Sequence, residues 1–207
     1  MRERMKLTDF EMDSLKEVGS IGASHAATAL SKMANRRIDI SVPGLKLIPI
    51  EKFLEEVGGS ESLVAGIYAK VQGDLCGGML SVFPMKAALT LVDILMERPL
   101  GSSETLSEMD SSALIEVGNI LTSTFIGAMS DFLDLNIFPT PPGLACDMAG
   151  SLLEFLVIEM GEHADNAILF QTHLSMSPTM VEGQLFLCID PSSLDKIFEK
   201  IREKVGL

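Results

Sequence analysis

The sequence lacks the features by which proteins recognise nucleic acids. Tryptophan is absent and aromatic residues make up only 5% of the 207 residues, so surfaces that stack on bases are not expected. Basic residues number 16 against 29 acidic ones, the net charge is −13, and the longest basic cluster is Arg36-Arg37. An acidic chain without a basic patch is a poor ligand for DNA or RNA. We therefore expect no nucleic-acid partner.

Motifs for metals, redox chemistry and membranes are missing as well. The three cysteines are isolated and form no C-x-x-C pair, and the three histidines are scattered, so no metal site is predicted. Buried, reduced thiols in a cytoplasmic protein are the ordinary interpretation of such cysteines. The chain has no run of eighteen apolar residues, and its start does not resemble a signal peptide. We predict a cytoplasmic protein without a membrane span.

What the sequence does contain is an internal repeat. Residues 15–45 align without a gap to residues 114–144, at an offset of 99, and twelve of these 31 positions are identical. Self-similarity at a constant offset indicates two copies of one structural unit. We place the copies at 8–99 and 107–207, within a single domain that spans residues 1–207.

Each copy carries the same order of predicted elements: a long helix, an extended piece that ends in proline, a two-stranded hairpin and a closing helix that a proline opens. The long helices are predicted at 9–33 and 108–133, the proline pieces at 38–43 and 137–142, the strands at 63–71, 75–83, 167–176 and 184–189, and the closing helices at 84–96 and 191–205. An extra amphipathic helix at 147–159 has no counterpart of matching length in the first copy. One hairpin alone cannot cover its apolar face. The predicted fold class is therefore α+β, with two pseudo-symmetric halves that share one core.

The two long helices also repeat a polar stripe. On a wheel of about 100° per residue, four polar residues share the outer side of the first helix: Asp13, Glu17, Ser20 and Ser24. Four share the outer side of the second: Ser112, Glu116, Asn119 and Ser123. Each stripe places a carboxylate one turn before a short polar side chain. A solvated helix face explains one such stripe, but its return in both copies favours a functional surface.

Each long helix has a glycine in its interior, at Gly19 and Gly118. Such a glycine costs about 1 kcal/mol relative to alanine, so it needs a reason. Either another backbone or a partner approaches the helix closely at this point, or two helices simply pack against each other there. The sequence leaves both explanations open.

The stripes resemble the signature of the CheC, CheX and FliY phosphatases of chemotaxis. The signature is Asp or Ser, three residues, Glu, two residues, Asn, then twenty-two residues and Pro. The second copy matches it in full: Ser112, Glu116, Asn119 and Pro142. The first copy has Asp13, Glu17 and Pro43, but Ser20 stands where the family has Asn. Two copies in about two hundred residues resemble the CheC family in particular, and the resemblance covers roughly residues 8 to 205.

This resemblance implies a function. Members of the family hydrolyse the aspartyl phosphate of phosphorylated CheY: their Asn orients a water in the regulator's active site, and their Glu pairs with the regulator's lysine. It implies that Glu116 and Asn119 form the main catalytic site and that Glu17 and Ser20 form a degenerate first site. The supporting positions are Asp13 and Ser112. No cofactor of the chain's own is expected, because Mg²⁺ belongs to the regulator.

The resemblance also implies a second partner, the receptor deamidase CheD. The family's contact surface includes the helix after the second proline, which is predicted to begin near Asp147. That residue is either a CheD contact or an ordinary acid favoured by the helix dipole. Two motif copies in one chain make a dimer unnecessary, so we expect a monomer.

Three other functions compete with this interpretation. The first is a non-catalytic adaptor that sequesters a regulator or CheD, and Ser20 gives it some support. The second is a structural component of a motility switch, which the absence of an added domain disfavours. The third is an unrelated hydrolase, but the sequence has no G-x-S-x-G elbow, P-loop or metal constellation.

Overall fold

A computed structural model describes residues 8–160, 166–176 and 179–205. Helices α1 to α6 span Asp9–Met33, Phe53–Glu56, Met85–Leu95, Glu108–Leu133, Ala149–Met160 and Pro191–Val205, and a 3₁₀ turn, Ile50–Lys52, precedes α2. Strands β1 to β7 span Asp39–Pro49, Leu63–Gly73, Gly77–Pro84, Ile137–Pro139, Gly143–Met148, Asn166–Met176 and Thr179–Ile189. The predicted long helices agree with α1 and α4 at both ends. The last strand, β7, begins earlier than its predicted start at residue 184.

The strands form one antiparallel sheet in the order β1-β6-β7-β3-β2-β4, and β5 also pairs with β2. The two hairpins meet in the middle, where β3 pairs with β7. In each half, the strand or strands that follow the long helix and contain proline pair with the hairpin of the other half. Strand β1 pairs with β6, and β4 and β5 pair with β2. The predicted class, α+β with two pseudo-symmetric halves around one core, is confirmed. The division into copies at 8–99 and 107–207 stays a prediction.

The proline pieces differ between the halves for a local reason. In the first half, β1 runs through Pro43. Proline has no amide hydrogen to donate to β6, and the pairing register shifts at this point, between Ser41 and Gly44. Such a shift is tolerated because β1 lies at the edge of the sheet. In the second half two consecutive prolines, 141 and 142, split the strand into β4 and β5. Thr140 holds this break in place, since its N–H donates to the Lys70 carbonyl oxygen at 2.9 Å.

Helices cover both faces of the sheet. Successive residues of β6 point to opposite sides: Ile168 and Phe170 join the larger core with α1, α3, α4 and α6, while Leu169 joins a smaller core with α2 and α5. Helices α1 and α4 touch closely, because a Cβ added to Gly22 would lie 2.9 Å from the Cα of Phe125. By length and composition α4 alone among the described helices is long and apolar enough to cross a membrane, yet half of its most apolar window is buried within the fold.

Helices α1 and α4, which carry the two polar stripes, are called the motif helices. Their interior glycines pack against other parts of the chain. Gly19 lies against the ring of Phe170, and a Cβ there would be 3.0 Å from the ring. At Gly118 an added Cβ would overlap the side chain of Ile67 on β2. Both glycines are buried, so a partner does not reach them. They allow each of these helices to approach the sheet, whereas the closest approach of α1 to α4 occurs where Gly22 faces Phe125.

The start of each motif helix is tied to the other half. Both helices open with a capping box, whose acid, Glu11 in α1 and Asp110 in α4, is buried. Glu11 accepts from the Arg202 guanidinium at 2.6 Å, and Asp110 pairs with Arg98 at 2.9 Å. Burial alone would raise the pKa of each acid, but the cap hydrogen bonds and the arginine outweigh it and hold the pKa below its usual value. Both acids are therefore charged at neutral pH, and each fixes its helix end.

Candidate functional site

The second polar stripe lies on the open side of α4. Glu116 is exposed and Asn119 is half-buried. The Nδ2 atom of Asn119 lies 3.5 Å from Oε2 of Glu116, and the Oγ atom of Ser123 lies 3.5 Å from Oδ1 of Asn119. These distances are at the outer limit of a hydrogen bond. The carboxamide is thus held loosely, and both its donor and its acceptor remain available to a partner.

The backbone beneath this pair is clamped. Val117 and Leu121 are fully buried, and Gly118 sits on Ile67 of β2. Val117, Gly118 and Leu121 face the core, so the Glu116–Asn119 pair is directed away from the sheet. The result is a carboxylate and a carboxamide side by side on a rigid helix, without chain covering Glu116.

The first stripe, on α1, has the carboxylate but a different second group. Glu17 and Ser20 are both exposed. The Oγ atom of Ser20 donates to the backbone carbonyl oxygen of Lys16 at 2.9 Å, so the hydroxyl turns back onto its own helix. Asp13, also exposed, has its Oδ1 atom 3.6 Å from the Lys16 ammonium. This stripe therefore presents no amide that extends into solvent.

The remaining motif residues are placed as follows. The Ser112 hydroxyl donates to the carbonyl oxygen of Glu108 at 2.9 Å and lies on the exposed side of α4. Pro43 sits at the irregular point of β1, and Pro142 at the break between β4 and β5, so both shape the strand that follows a motif helix. The structure groups the motif residues into two exposed helix faces. The catalytic and supporting roles assigned to them stay predictions.

The placement predicted for Asp147 was wrong. Helix α5 begins at Ala149, and Asp147 lies in strand β5 opposite Val64. Its carboxylate accepts from the N–H of Met148 at 2.7 Å, and the first amides of α5 donate to carbonyl oxygens of residues 60 and 62 instead. The chain stays extended to Met148 because β5 completes its pairing with β2. Asp147 is exposed beside the helix rather than in its first turn.

Sequence reasoning missed an exposed apolar surface next to Asp147. On α5, Phe155 and Ile158 are exposed, Ile158 by 80%, and Phe155 lines one groove together with Asp147, Tyr68 and Leu152. Eight of the twelve residues 149–160 are apolar, which is more than one buried helix face holds, so some of them must remain exposed. That composition was the available signal.

Only one of the three cysteines is buried, although all three were predicted to be. Cys188 is buried, and burial raises the pKa of its thiol to about 12. Cys76 and Cys146 are exposed, contrary to prediction, because one lies beside the β2–β3 turn and the other on the outer strand β5. Among the residues that the structure describes, no three His, Cys, Asp or Glu side chains are grouped so as to hold a metal ion.

Comparison with known sequences places the chain. The model of the CheC-like family matches residues 10–47 and 109–145, the segments that contain both stripes. A Bacillus subtilis (strain 168) protein named CheY-P phosphatase CheC is 35% identical over an alignment of 196 residues that covers 91% of this chain and 92% of that protein. The chain belongs to the CheC-like family. Each matched segment contains nearly all of one of the helices α1 and α4 and the extended piece that follows it.

Solved structures share the fold of this CheC-like protein. Thermotoga maritima FliY superposes with a TM-score of 0.79 at 20% identity, over 97% of this chain and all of that one. A chain of the CheX–CheY–BeF₃–Mg²⁺ complex from Borrelia burgdorferi superposes with a TM-score of 0.50 at 16% identity, over 84% of this chain and 96% of that one. At these identities the likeness shows the fold alone.

Proposed function

We propose that this CheC-like protein hydrolyses the aspartyl phosphate of a phosphorylated CheY-type response regulator. The observation that carries the proposal is the Glu116–Asn119 pair on the open side of α4, with Glu116 exposed and Asn119 half-buried, on a helix held against the sheet. The name of the Bacillus subtilis relative, CheY-P phosphatase CheC, supports it. A relative of the same fold, CheX, has been crystallised with CheY, BeF₃ and Mg²⁺, which supports the choice of partner.

The chemistry suits these residue types. An acyl phosphate is reactive and its transfer has a loose transition state, so positioning contributes most of the catalysis. The Asn119 carboxamide orients a water in line with the phosphorus without adding charge. The water oxygen bonds to phosphorus, the bond from phosphorus to the aspartate oxygen breaks, and phosphate leaves with the proton of the water. Glu116 pairs with a lysine of the regulator and fixes the register, and the regulator supplies Mg²⁺.

One experiment separates this phosphatase from a non-catalytic adaptor. The lifetime of the phosphorylated regulator is measured alone and with an equal concentration of the chain. The phosphatase shortens the lifetime, whereas an adaptor leaves it unchanged or lengthens it by shielding the phosphoryl group. An unchanged lifetime in a mixture where binding is saturated would defeat the proposal.

The first stripe is proposed to dock a regulator without efficient hydrolysis, because Ser20 is short and bonded to Lys16. Ser20→Asn restores the family's residue at that position. We expect it to raise the turnover of the chain by up to roughly twofold, since two equivalent positioned sites replace one. Ser24→Asn, exposed one turn further along α1, is the matched control and should change nothing. A Ser20→Asn variant with wild-type turnover would mean that the first stripe fails for a reason other than its missing amide.

CheD is proposed as the second partner, docking on exposed apolar side chains of α5 beside Asp147, where Asp147 and Phe155 line one groove. A carboxylate next to exposed apolar side chains suits a partner with a cationic group in an apolar setting. Asp147→Lys should weaken CheD binding about tenfold or more, because a like charge then faces that group. Asp131→Lys, an equally exposed acid at the end of α4, is the control. Calorimetric titration measures both, and undiminished binding by Asp147→Lys contradicts the docking site.

We also propose that the protein acts as a cytoplasmic monomer. Both stripes lie on one chain, and each is complete without residues from a second copy. The proposed substrate, a phosphorylated response regulator, fits this compartment.

A further inference from the structure

Each motif helix begins with a large apolar side chain that is exposed to solvent. Phe10 in α1 is 39% exposed and Met109 in α4 is 67% exposed. These two residues are 99 positions apart, so they occupy the same place in the repeat. A single exposed apolar residue is ordinary. A pair at equivalent positions in both copies needs an explanation that applies to both helices.

Both exposed residues lie on the same helix face as the polar stripe, and that shared face is the explanation. Met109 precedes Glu116 by seven residues, which is about two helical turns and about 10 Å along the axis. Seven residues return a helix to within about 20° of the same side, so Met109 and Glu116 share one face. Phe10 and Glu17 are related in the same way. Each polar stripe therefore starts with an apolar residue.

Met109 contributes little to the fold itself. It lies outside both cores, and the start of α4 is fixed by its neighbour Asp110, which is buried and paired with Arg98. The flanking Glu108 is exposed, as is Glu104 in the preceding loop. The apolar side chain thus stands on a rigid helix end with an acidic border.

We propose that Met109 is a docking contact for the response regulator, buried on binding about two turns from the Glu116–Asn119 pair. This inference rests on the proposed function, and the occupant follows from continuity with that surface: a regulator that brings its phosphorylated residue to Asn119 covers the same face of α4. The matching patch on the regulator is apolar, has a basic border and lies roughly 10 Å from its phosphoryl pocket. Methionine suits such a contact because its unbranched side chain adapts to irregular surfaces.

The test uses Met109→Gln, which keeps the length and helix propensity of the side chain but makes it polar. Two quantities are measured on the full chain: the Kd for a CheY-type regulator carrying beryllofluoride and Mg²⁺, and KM with kcat for hydrolysis of the phosphorylated regulator. We expect Kd and KM to rise about five- to twentyfold, as loss of one buried methionine predicts, with kcat within twofold of wild type. Met180→Gln, 58% exposed on β7, is the matched control and should leave all three unchanged.

The outcomes separate the docking contact from the proposed function. If wild type hydrolyses the phosphoryl group and Met109→Gln has wild-type Kd and KM, the docking contact is wrong and the phosphatase proposal stands. If Met109→Gln weakened self-association of the chain but left the Kd for the regulator unchanged, the surface would belong to a second copy, and the inference would be overturned. If wild type neither binds nor hydrolyses the regulator, both proposals fall together.

Discussion

Replacing Asn119 with alanine is expected to slow aspartyl-phosphate hydrolysis about 10²–10³-fold, the usual cost of removing one positioned polar group from a transition state. In the proposed mechanism the carboxamide holds the attacking water, whereas Glu116 provides the contact to the regulator. The loss should therefore appear in kcat, with the Kd for the beryllofluoride-loaded regulator nearly unchanged. Single-turnover decay of the phosphorylated regulator at saturating chain measures it.

Ser123→Ala is the matched control for Asn119→Ala. Ser123 lies on the same exposed face, and its hydroxyl only reaches Oδ1 of Asn119 at 3.5 Å. Its loss should reduce the rate by a small factor. Neither side chain belongs to the core, so both variants should unfold at the wild-type temperature. An Asn119→Ala variant with full activity would refute the assignment of this residue.

Gly118→Ala is expected to lower the free energy of unfolding by about 1–3 kcal/mol, although alanine is the better helix former. The added Cβ would overlap Ile67 of β2, and it would also lie 2.9 Å from the Cβ of Ile67. Rotation of the Ile67 side chain about χ1 moves its γ carbons but not its Cβ, so it cannot relieve the contact with the new Cβ of residue 118. Helix α4 must then move away from the sheet. Because Asn119 is the next residue, the rate of hydrolysis should fall together with stability.

Gly127→Ala on the same helix tests the sign of this argument. Apart from the chain neighbours and the nearby backbone of α4 itself, no described atom lies within 4 Å of a Cβ added at Gly127, so only the helix propensity changes. Its stability should rise by up to about 1 kcal/mol, with activity unchanged. Urea unfolding of the two variants provides the comparison. If both glycine substitutions stabilised the protein, the close approach of α4 to β2 would be wrong.

Local sequence signals predicted the helices well. The predicted bounds of the long helices agree with α1 and α4, whose starts the structure shows to be fixed by capping boxes of Thr8 with Glu11 and Ser107 with Asp110. The 99-residue offset predicted that the two helices would present equivalent faces, and every residue of the two stripes is exposed except Asn119, which is half-buried. These features depend on neighbours within a few positions along the chain, so the sequence displays them directly.

Pairing between distant strands was not visible. Nothing in β1 indicates that it pairs with β6 of the other half, because register and partner choice depend on contacts more than one hundred residues apart. The role of Gly118 has the same origin, since its partner Ile67 lies in the other half. The glycine was evident in the sequence, whereas what it packs against required the fold.

Asp147 and the cysteines show a third kind of limit. The apolar run after residue 147 indicated a helix, but pairing of β5 with β2 keeps the chain extended for two more residues. Whether Cys76 and Cys146 are exposed depends on which side of the sheet remains uncovered. Composition predicts that cysteines are buried on average, and it does not identify exceptions at turns and outer strands.

Release of inorganic phosphate from an excess of phosphorylated regulator tests the central proposal most directly. Wild type is compared with a chain in which Glu116 and Asn119 are both alanine. We expect wild type to release many phosphates per chain above the spontaneous rate, and the double variant to fall close to that rate, with only the weak first stripe remaining. Equal release by the two proteins would contradict the assignment of hydrolysis to this pair on α4.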